Sequence, residues 1–475
     1  MIVYLLGRIL TVEAVLMAPS AVLAAIYGEG DLKAFLFTML LLAVVGVSLS
    51  CRRPKNSAIF AREGLVTVAA AWILISAFGA LPMVISGAIP SYVDALFEMI
   101  SGFTTTGASI LPQVETLPHG VLFWRSFSHW VGGMGVLVFV MALVPSVTDR
   151  SIHIMRAEMP GPVVGKLMPR ARDTASILYK IYVGMTLLQI ILLWAGGMPL
   201  YESIVHAFGT AGTGGFGVKA DSIAGYSPYL QWVITVFMLL FGINFNLYYL
   251  LLIRRFRAAA QSSECWYYLG IVGVSIALIT VNILPMYANF REALRLSAFQ
   301  VASIVTTTGY ATADFNLWPQ FSKAILLLLM IVGACAGSTG GGLKVSRAVM
   351  LFKMVGKEIR HLLHPRSVNS VRFEGKHVDG ATLKSVSSYF AIYIICILAI
   401  CLILSLEPFD LETNLSATLA CFNNIGPGLA GVGPASNYAA YSAVSKLVLS
   451  LAMLLGRLEI YPLLLTLAPS TWIKK

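Results

Sequence analysis

Thr306-Thr307-Thr308-Gly309-Tyr310 is repeated almost letter for letter by Thr104-Thr105-Thr106-Gly107-Ala108 in a distant part of the chain. With the glycine as anchor, two looser copies come into line: Gly212-Thr213-Gly214-Gly215-Phe216 and Asn423-Asn424-Ile425-Gly426-Pro427. Echoes of this kind point to internal duplication. Each anchor follows a short segment of mixed polarity that carries an acid (Asp94, Glu202, Glu292 or Glu412), and each precedes a loop and a long apolar run. Four related units share one plan.

The composition sets the solvent. At 58% hydrophobic and 12% charged residues over 475 positions, the chain reads as an all-α polytopic membrane protein rather than a soluble one with a large core. A net charge of +11 would suggest nucleic acid or an acidic partner for a soluble protein; here it reflects basic cytoplasmic loops, and no nucleic acid is expected. The six cysteines form no CxxC pair and no Cys/His spacing suited to a metal, so they read as buried thiols. Neither a nucleophile with its base nor a metal cluster is visible, which argues against an intramembrane enzyme.

Residues 1–56 read as a two-helix hairpin. Its first apolar run, 1–27, is broken only by Arg8 and Glu13; it lacks a basic start, so it is read as a retained helix rather than a cleaved leader. The run 34–50 follows a polar turn. Four units come next: repeat 1 over 57–165, with segments 66–86, 95–106 and 121–144; repeat 2 over 166–262, with 177–194, 203–211 and 230–252; repeat 3 over 263–376, with 267–284, 293–305 and a long run from 321; and repeat 4 over 377–475, with 389–406, 415–422 and 438–467. The outer runs are long enough to span and the middle ones are not. A segment too short to cross must enter and return, and non-helical backbone at that depth is tolerated only where it is buried in protein or lines a watery path. Of the 33 Lys and Arg residues, 25 fall in stretches that lie on one side under this layout. The distribution predicts ten spans, both termini in the cytoplasm, and four repeats of the same orientation; inverted repeats are excluded.

Four parallel copies suit a fourfold pseudosymmetric central pore where the returns meet. Backbone carbonyls and threonine hydroxyls are neutral oxygens that can replace the water shell of potassium without holding it too tightly. Glycine lets successive carbonyls face one axis, and the C-terminal ends of the short helices aim partial negative charge at the cavity. Thr-Gly clusters also serve as helix-packing surfaces, but four in register, each between two spans, favour the pore.

Two further stretches bear on that pore. Gly333 to Gly342 lies inside what should be the last span of repeat 3, and five of its ten residues are glycine. At about 1 kcal/mol lost per glycine relative to alanine, the helix should break there; the order needed for a phosphate loop is absent. Arg457 stands midway along the final apolar run, where a guanidinium costs about 2.5–3.5 kcal/mol, so it should face a pore or a partner. Satisfying the carbonyls of the broken 337–342 loop is compatible with either role. Glu459, two residues on, should point elsewhere on a helix. His129 beside Trp130 reads as a packed, hydrogen-bonded histidine rather than a proton relay. The basic stretch 344–384 could be solvated, touch anionic lipid, or dock a regulator.

The chain resembles the Trk/Ktr/HKT superfamily of potassium transporters, most closely its bacterial TrkH branch. The resemblance rests on 101–108 and 305–310, 206–216, Trp124-Arg125 with His129-Trp130 and Gly132-Gly133-Met134-Gly135, 337–344, and Leu455-Gly456-Arg457-Leu458-Glu459-Ile460-Tyr461-Pro462. It implies potassium uptake across a bacterial inner membrane through a filter lined by Thr105, Thr106 and Gly107; Thr213, Gly214 and Gly215; Thr307, Thr308 and Gly309; and Asn424, Ile425 and Gly426. Repeats 2 and 4 depart from the Thr-Thr-Gly pattern. The resemblance also implies a gate beneath the filter made by the intramembrane loop Gly337, Ser338, Thr339, Gly340, Gly341 and Gly342, with Arg457 near the pore. It further implies a homodimer seated on a cytosolic ring of TrkA-type nucleotide-binding subunits, any nucleotide being held by that partner. The rival expectation is a symporter coupled to protons or sodium, which would need a second ion site.

Overall fold

The computed structural model describes residues 1–52, 61–135, 171–366 and 370–471. Apart from a short antiparallel hairpin, Arg372–Phe373 paired with Lys376–His377, its regular structure is helical. Among the described residues, six helices are long and apolar enough to cross a membrane: Ile2–Tyr27, Leu32–Ser50, Arg62–Ile85, Ala175–Ala195, Ser263–Met286 and Gly380–Leu404. A seventh is made by Pro228–Phe241 with Phe245–Leu252 if that pair, bent by 92°, is one span. The end of the 121–144 run and most of the 148–180 basic loop lie outside the described residues, as do 53–60 and the C-terminal lysines.

The short middle segments form the helices Tyr92–Phe103, Leu200–Ala211, Phe290–Val305 and Leu411–Phe422. All four anticipated acids sit in the first turn of these helices, where a carboxylate opposes the helix dipole. Capping side chains fix three of the starts, since Ser91, Asn289 and Asp410 accept backbone N–H groups from Asp94, Glu292 and Thr413. Two of the acids also tie to a neighbouring repeat or span: Asp94 pairs with Lys446 at 2.6 Å and Glu412 with Lys323 at 3.4 Å.

The long runs that follow the anchors are less continuous than expected. The 230–252 run breaks at Gly242, because a Cβ there would lie 2.6 Å from the Tyr268 hydroxyl and 2.8 Å from the Thr306 methyl, and Asn244 starts a new helix by accepting from Asn246 N. The 438–467 run breaks after Arg457: Glu459 (φ 55°) and Ile460 (φ 68°) turn the chain before the helix Tyr461–Leu467. The 321 run ends at Val332, as its glycine content predicts, and resumes as Val345–Leu363.

The outer helices are apolar all round, with Leu402 74% and Val281 71% exposed, as expected for lipid-facing surface. Side chains of the short helices are instead enclosed; Phe97, Ala207, Phe299 and Ala417 are fully buried. The N-terminal hairpin packs closely where Gly7 and Gly46 face each other, a Cβ on either lying 2.7 Å from the other's carbonyl. Of the six cysteines, Cys335, Cys401 and Cys421 are buried, whereas Cys51 is exposed because it follows the last turn of Leu32–Ser50.

Candidate functional site

The four returns have one backbone geometry. Thr105, Thr213, Thr307 and Asn424 all take φ between 55° and 58°, and two residues later Gly107, Gly215, Gly309 and Gly426 take φ of 79°, 77°, 82° and 95°. The same hydrogen bond recurs in each repeat: Thr106 N to Ser101 O, Gly214 N to Gly209 O, Thr308 N to Ser303 O and Ile425 N to Ala420 O, at 2.8–2.9 Å. A non-glycine residue with positive φ is uncommon and costs about 1–3 kcal/mol. Four at equivalent positions mark a conformation imposed by the site.

These returns form a closed ring. A Cβ added to Gly107 would lie 2.0 Å from Gly214 O, one on Gly215 2.1 Å from Thr308 O, one on Gly309 2.1 Å from Ile425 O, and one on Gly426 2.7 Å from Thr106 O. Each anchor therefore abuts the carbonyl just before the next anchor, from repeat 1 through repeat 4 and back to repeat 1. In repeats 1 and 3 the equivalence extends to side chains, with Thr104 to Thr106 and Thr306 to Thr308 hydroxyl pairs both at 2.8 Å. Repeat 4 differs at the outermost level, where the Tyr438 hydroxyl donates to Gly426 O at 2.7 Å.

One end of the ring opens into a cavity of 140 Å³ lined by all four anchor glycines. Its charged lining residues are Arg125 and Lys219. Arg125 is neutralised: its Nε donates to Glu98 at 2.9 Å and its Nη2 at 2.5 Å, while that carboxylate also accepts from Ser109 Oγ and Ile110 N. Both partners are buried, and the guanidinium stacks over Phe216 at 4.0 Å. The pair thus ties the first short helix to the second return without placing a bare cation at the mouth. His129 lies behind the second return, fully buried with its ring 4.2 Å from that of Phe216.

The glycine-rich loop packs against the residues that precede the anchors of repeats 3 and 4. A Cβ on Gly340 would lie 2.9 Å from Thr306 O, and one on Gly341 2.4 Å from Asn423 O. Gly341 N donates to the Thr307 hydroxyl at 2.6 Å. Glycine is therefore required at 340 and 341 by approach, and at 337 and 342 by positive φ, 71° and 76°. Arg457 reaches the same loop, donating to Gly132 O, to Gly133 O at 2.7 Å and to Thr339 O at 3.0 Å, and lying 3.4 Å from the Thr105 hydroxyl. The structure thus joins Arg457 to the loop and to repeat 1 at once.

The loop is held by more partners than its composition suggests. It interlocks with the break in repeat 2 through the backbone bonds Cys335 N to Gly242 O and Phe245 N to Gly337 O and through the Thr339 hydroxyl, which donates to Phe241 O. The buried carboxylate of Glu264 accepts from Ala336 N at 2.7 Å and Ser346 N at 3.1 Å, pinning both ends. Lys344 Nζ donates back to Gly340 O. Beyond the loop, Arg347 forms a bidentate pair with Glu459, whose side chain is free to reach it because the helix has ended at Arg457. Sequence reasoning did not single out Glu264, and it placed Lys344 and Arg347 in a basic stretch rather than buried as the structure has them. Their signal is a charged residue at the edge of a span, but their partners are set by breaks that periodicity does not reveal.

The TrkH family profile, described as cation transport protein, matches residues 32–286 and 282–474. The Trk system potassium uptake protein TrkH of Salmonella typhimurium is 35% identical over 461 residues, covering 94% of each chain. The Trk system potassium uptake protein TrkG of Escherichia coli is 32% identical over 482 residues, covering 99% of this chain and 98% of the other. Among solved structures, the potassium transporter TrkH from Vibrio parahaemolyticus superposes with a TM-score of 0.88 at 30% identity, covering 99% of both chains.

Proposed function

The chain belongs to the TrkH family of cation transport proteins, a non-enzymatic membrane transport family, and from that premise we propose that it takes up potassium through a channel-like filter gated by its intramembrane loop. The observation that carries this reading is the closed ring: four equivalent returns, each wedged against the next, open to a cavity at one end and packed against the loop by the residues that precede the anchors of repeats 3 and 4. The assigned filter residues are Thr105 to Gly107, Thr213 to Gly215, Thr307 to Gly309 and Asn424 to Gly426. Their oxygens are neutral, which suits a monovalent ion that must enter and leave quickly. The assigned gate is Gly337 to Gly342 with Arg457, whose positive charge beside that loop raises the barrier to a cation.

By the same membership we assign ten spans, both termini on the cytoplasmic face of a bacterial inner membrane, a homodimeric assembly, and a cytosolic TrkA-type partner that binds the nucleotide. Flux from the purified chain in liposomes, with pH clamped on both sides and potassium compared with sodium, tests the central claim. Potassium should move down its own gradient with no proton or sodium gradient applied. A strict requirement for either gradient would replace the channel reading with symport.

A further inference from the structure

The helix Val345–Leu363, which continues the chain from the loop, has a side that the site does not use. Phe352 is 78% and Val355 59% exposed there, although the same helix carries a run of basic residues. Between this helix, the helix Ser263–Met286 and the hairpin at 372–377 lies a cleft of 730 Å³. Its wall is apolar, with Tyr267 and Ile271 from the membrane helix facing Val349 and Phe352. Its rim carries Lys353, Lys357, Arg360 and Arg372, and none of the described residues that line it is acidic. Lys353 is already engaged, donating to Arg372 O at 2.9 Å and lying over the Tyr267 ring at 5.5 Å. The other three cations make no hydrogen bond or ion pair among the described residues.

We infer that this cleft binds an anionic phospholipid, its phosphate headgroup held by Lys357, Arg360 and Arg372 and its acyl chains lying along Tyr267, Ile271 and Phe352. The combination decides the class of ligand. A small phosphate would use the cations and leave the apolar wall wet, whereas a lipid uses both and is supplied by the solvent in which Ser263–Met286 already sits. Charge attracts the headgroup, and burial of the wall retains the chains.

The position gives the lipid a route to the loop. The hairpin is anchored on the membrane helix by Glu374, which accepts from Ser262 Oγ, Ser263 Oγ and Glu264 N. The side chain of Glu264 is the one that pins both ends of the loop. A lipid bridging the hairpin and the helix after the loop therefore acts on both supports of the loop. That effect on transport rests on the gate reading above; the binding does not.

Native mass spectrometry of the full chain, released from micelles containing phosphatidylglycerol and phosphatidylcholine in equal amounts, reads binding directly. Liposome potassium flux with and without phosphatidylglycerol reads the effect. Two variants are compared with the unmodified chain. The first, Lys357→Gln with Arg360→Gln, removes the charge. The second, Gly356→Leu, fills the cleft, and since a Cβ at Gly356 meets nothing within 4 Å it does not disturb the helix. Preferential retention of phosphatidylglycerol by the unmodified chain is expected, falling roughly tenfold in each variant. Equal retention in all three overturns the site. Displacement of the lipid by millimolar inorganic phosphate also overturns it, in favour of a free-anion site, as would binding of an acidic soluble protein that depends on these residues while lipid binding does not. Lipid binding with unchanged flux would leave the site standing and count against the gate.

Discussion

The side-chain amide of Asn424 donates to the Thr106 hydroxyl at 2.9 Å, joining residues 318 apart in the chain. The same amide group donates to Met453 O at 2.9 Å, so it is braced from behind by the helix that carries Arg457. Where the other repeats have threonine, repeat 4 uses a longer side chain that reaches its neighbour. The ring therefore closes through a side chain between repeats 4 and 1 as well as through backbone approach.

That closure makes each anchor glycine a shared element of two repeats. Gly107→Ser should both admit sodium and destabilise the protein, because its Cβ would strike Gly214 O and its φ of 79° is disfavoured for serine. A potassium/sodium permeability ratio about tenfold lower is expected, the equivalent of roughly 1.4 kcal/mol, with about 1–3 kcal/mol lost in stability. Gly309→Ser should behave alike through Ile425 O. Unchanged ratios in both variants, with normal expression, would remove these returns from the filter.

Arg457→Ala should raise potassium flux while leaving the protein inserted. The guanidinium is the shared donor for carbonyls of Gly132, Gly133 and Thr339, so a stability loss of about 1–3 kcal/mol should accompany the change. Arg457→Lys keeps the charge but not the fork, and flux should then fall between the two. If Arg457→Ala lost stability with no change in flux per folded protein, measured on one preparation, the arginine would be structural alone.

Glu13 separates channel from symporter. It lies within Ile2–Tyr27, is 2% exposed, and neither carboxyl oxygen has a hydrogen-bond partner among the described residues. An intramembrane acid is the natural candidate for proton coupling. It stands in the hairpin outside the four repeats, however, and Glu13→Gln should leave potassium flux and its response to a pH gradient within about twofold of the parent, since a neutral side chain of the same shape suits that site. Loss of a pH-driven component in the variant would revive the symporter.

How much of this was legible depends on which interactions set each feature. The four returns could be read because duplication leaves letters behind, and the anchor glycines because positive φ and close approach leave few alternatives to glycine at 107, 215, 309 and 426. Register alone aligned Asn424 with Thr105, Thr213 and Thr307, whose φ it shares, but gave no sign of its role in closing the ring. The breaks at Gly242 and after Arg457 were missed, since an apolar run carries no sign of the Tyr268 hydroxyl or the Arg347 guanidinium that a distant segment brings to it. Glu459 was expected to point away from Arg457 on a continuing helix; it does point away, to Arg347, but the helix ends at Arg457 and a turn, not helical spacing, aims it there. Composition foretold the 333–342 break, but not that Glu264 would hold both its ends.

The loop itself gives the most demanding test, because its hydrogen bonds argue against simple mobility. Its missing helical bonds are replaced by Glu264, Phe241, Gly242, Thr307 and Arg457, so the loop is held at several points rather than slack, and the proposed gate must work against those bonds. Deleting Ser338 to Gly341 removes the residues that reach Thr307 and Asn423, and should raise basal potassium flux and weaken control by a cytosolic partner. Glu264→Ala should do the same with the plug present, because two buried N–H groups lose their common acceptor, at about 1–3 kcal/mol each. Glu264→Gln is the control that isolates the cause: its amide oxygen can still accept from Ala336 N and Ser346 N, so flux should stay near the parent's. Liposome flux with and without the regulatory partner, on all three variants, checks the set. Equal flux and equal regulation in the deletion and the parent would reduce the loop to a packing kink. A flux as high in Glu264→Gln as in Glu264→Ala would show that the charge of the carboxylate, and not its grip on the two ends, holds the plug in place.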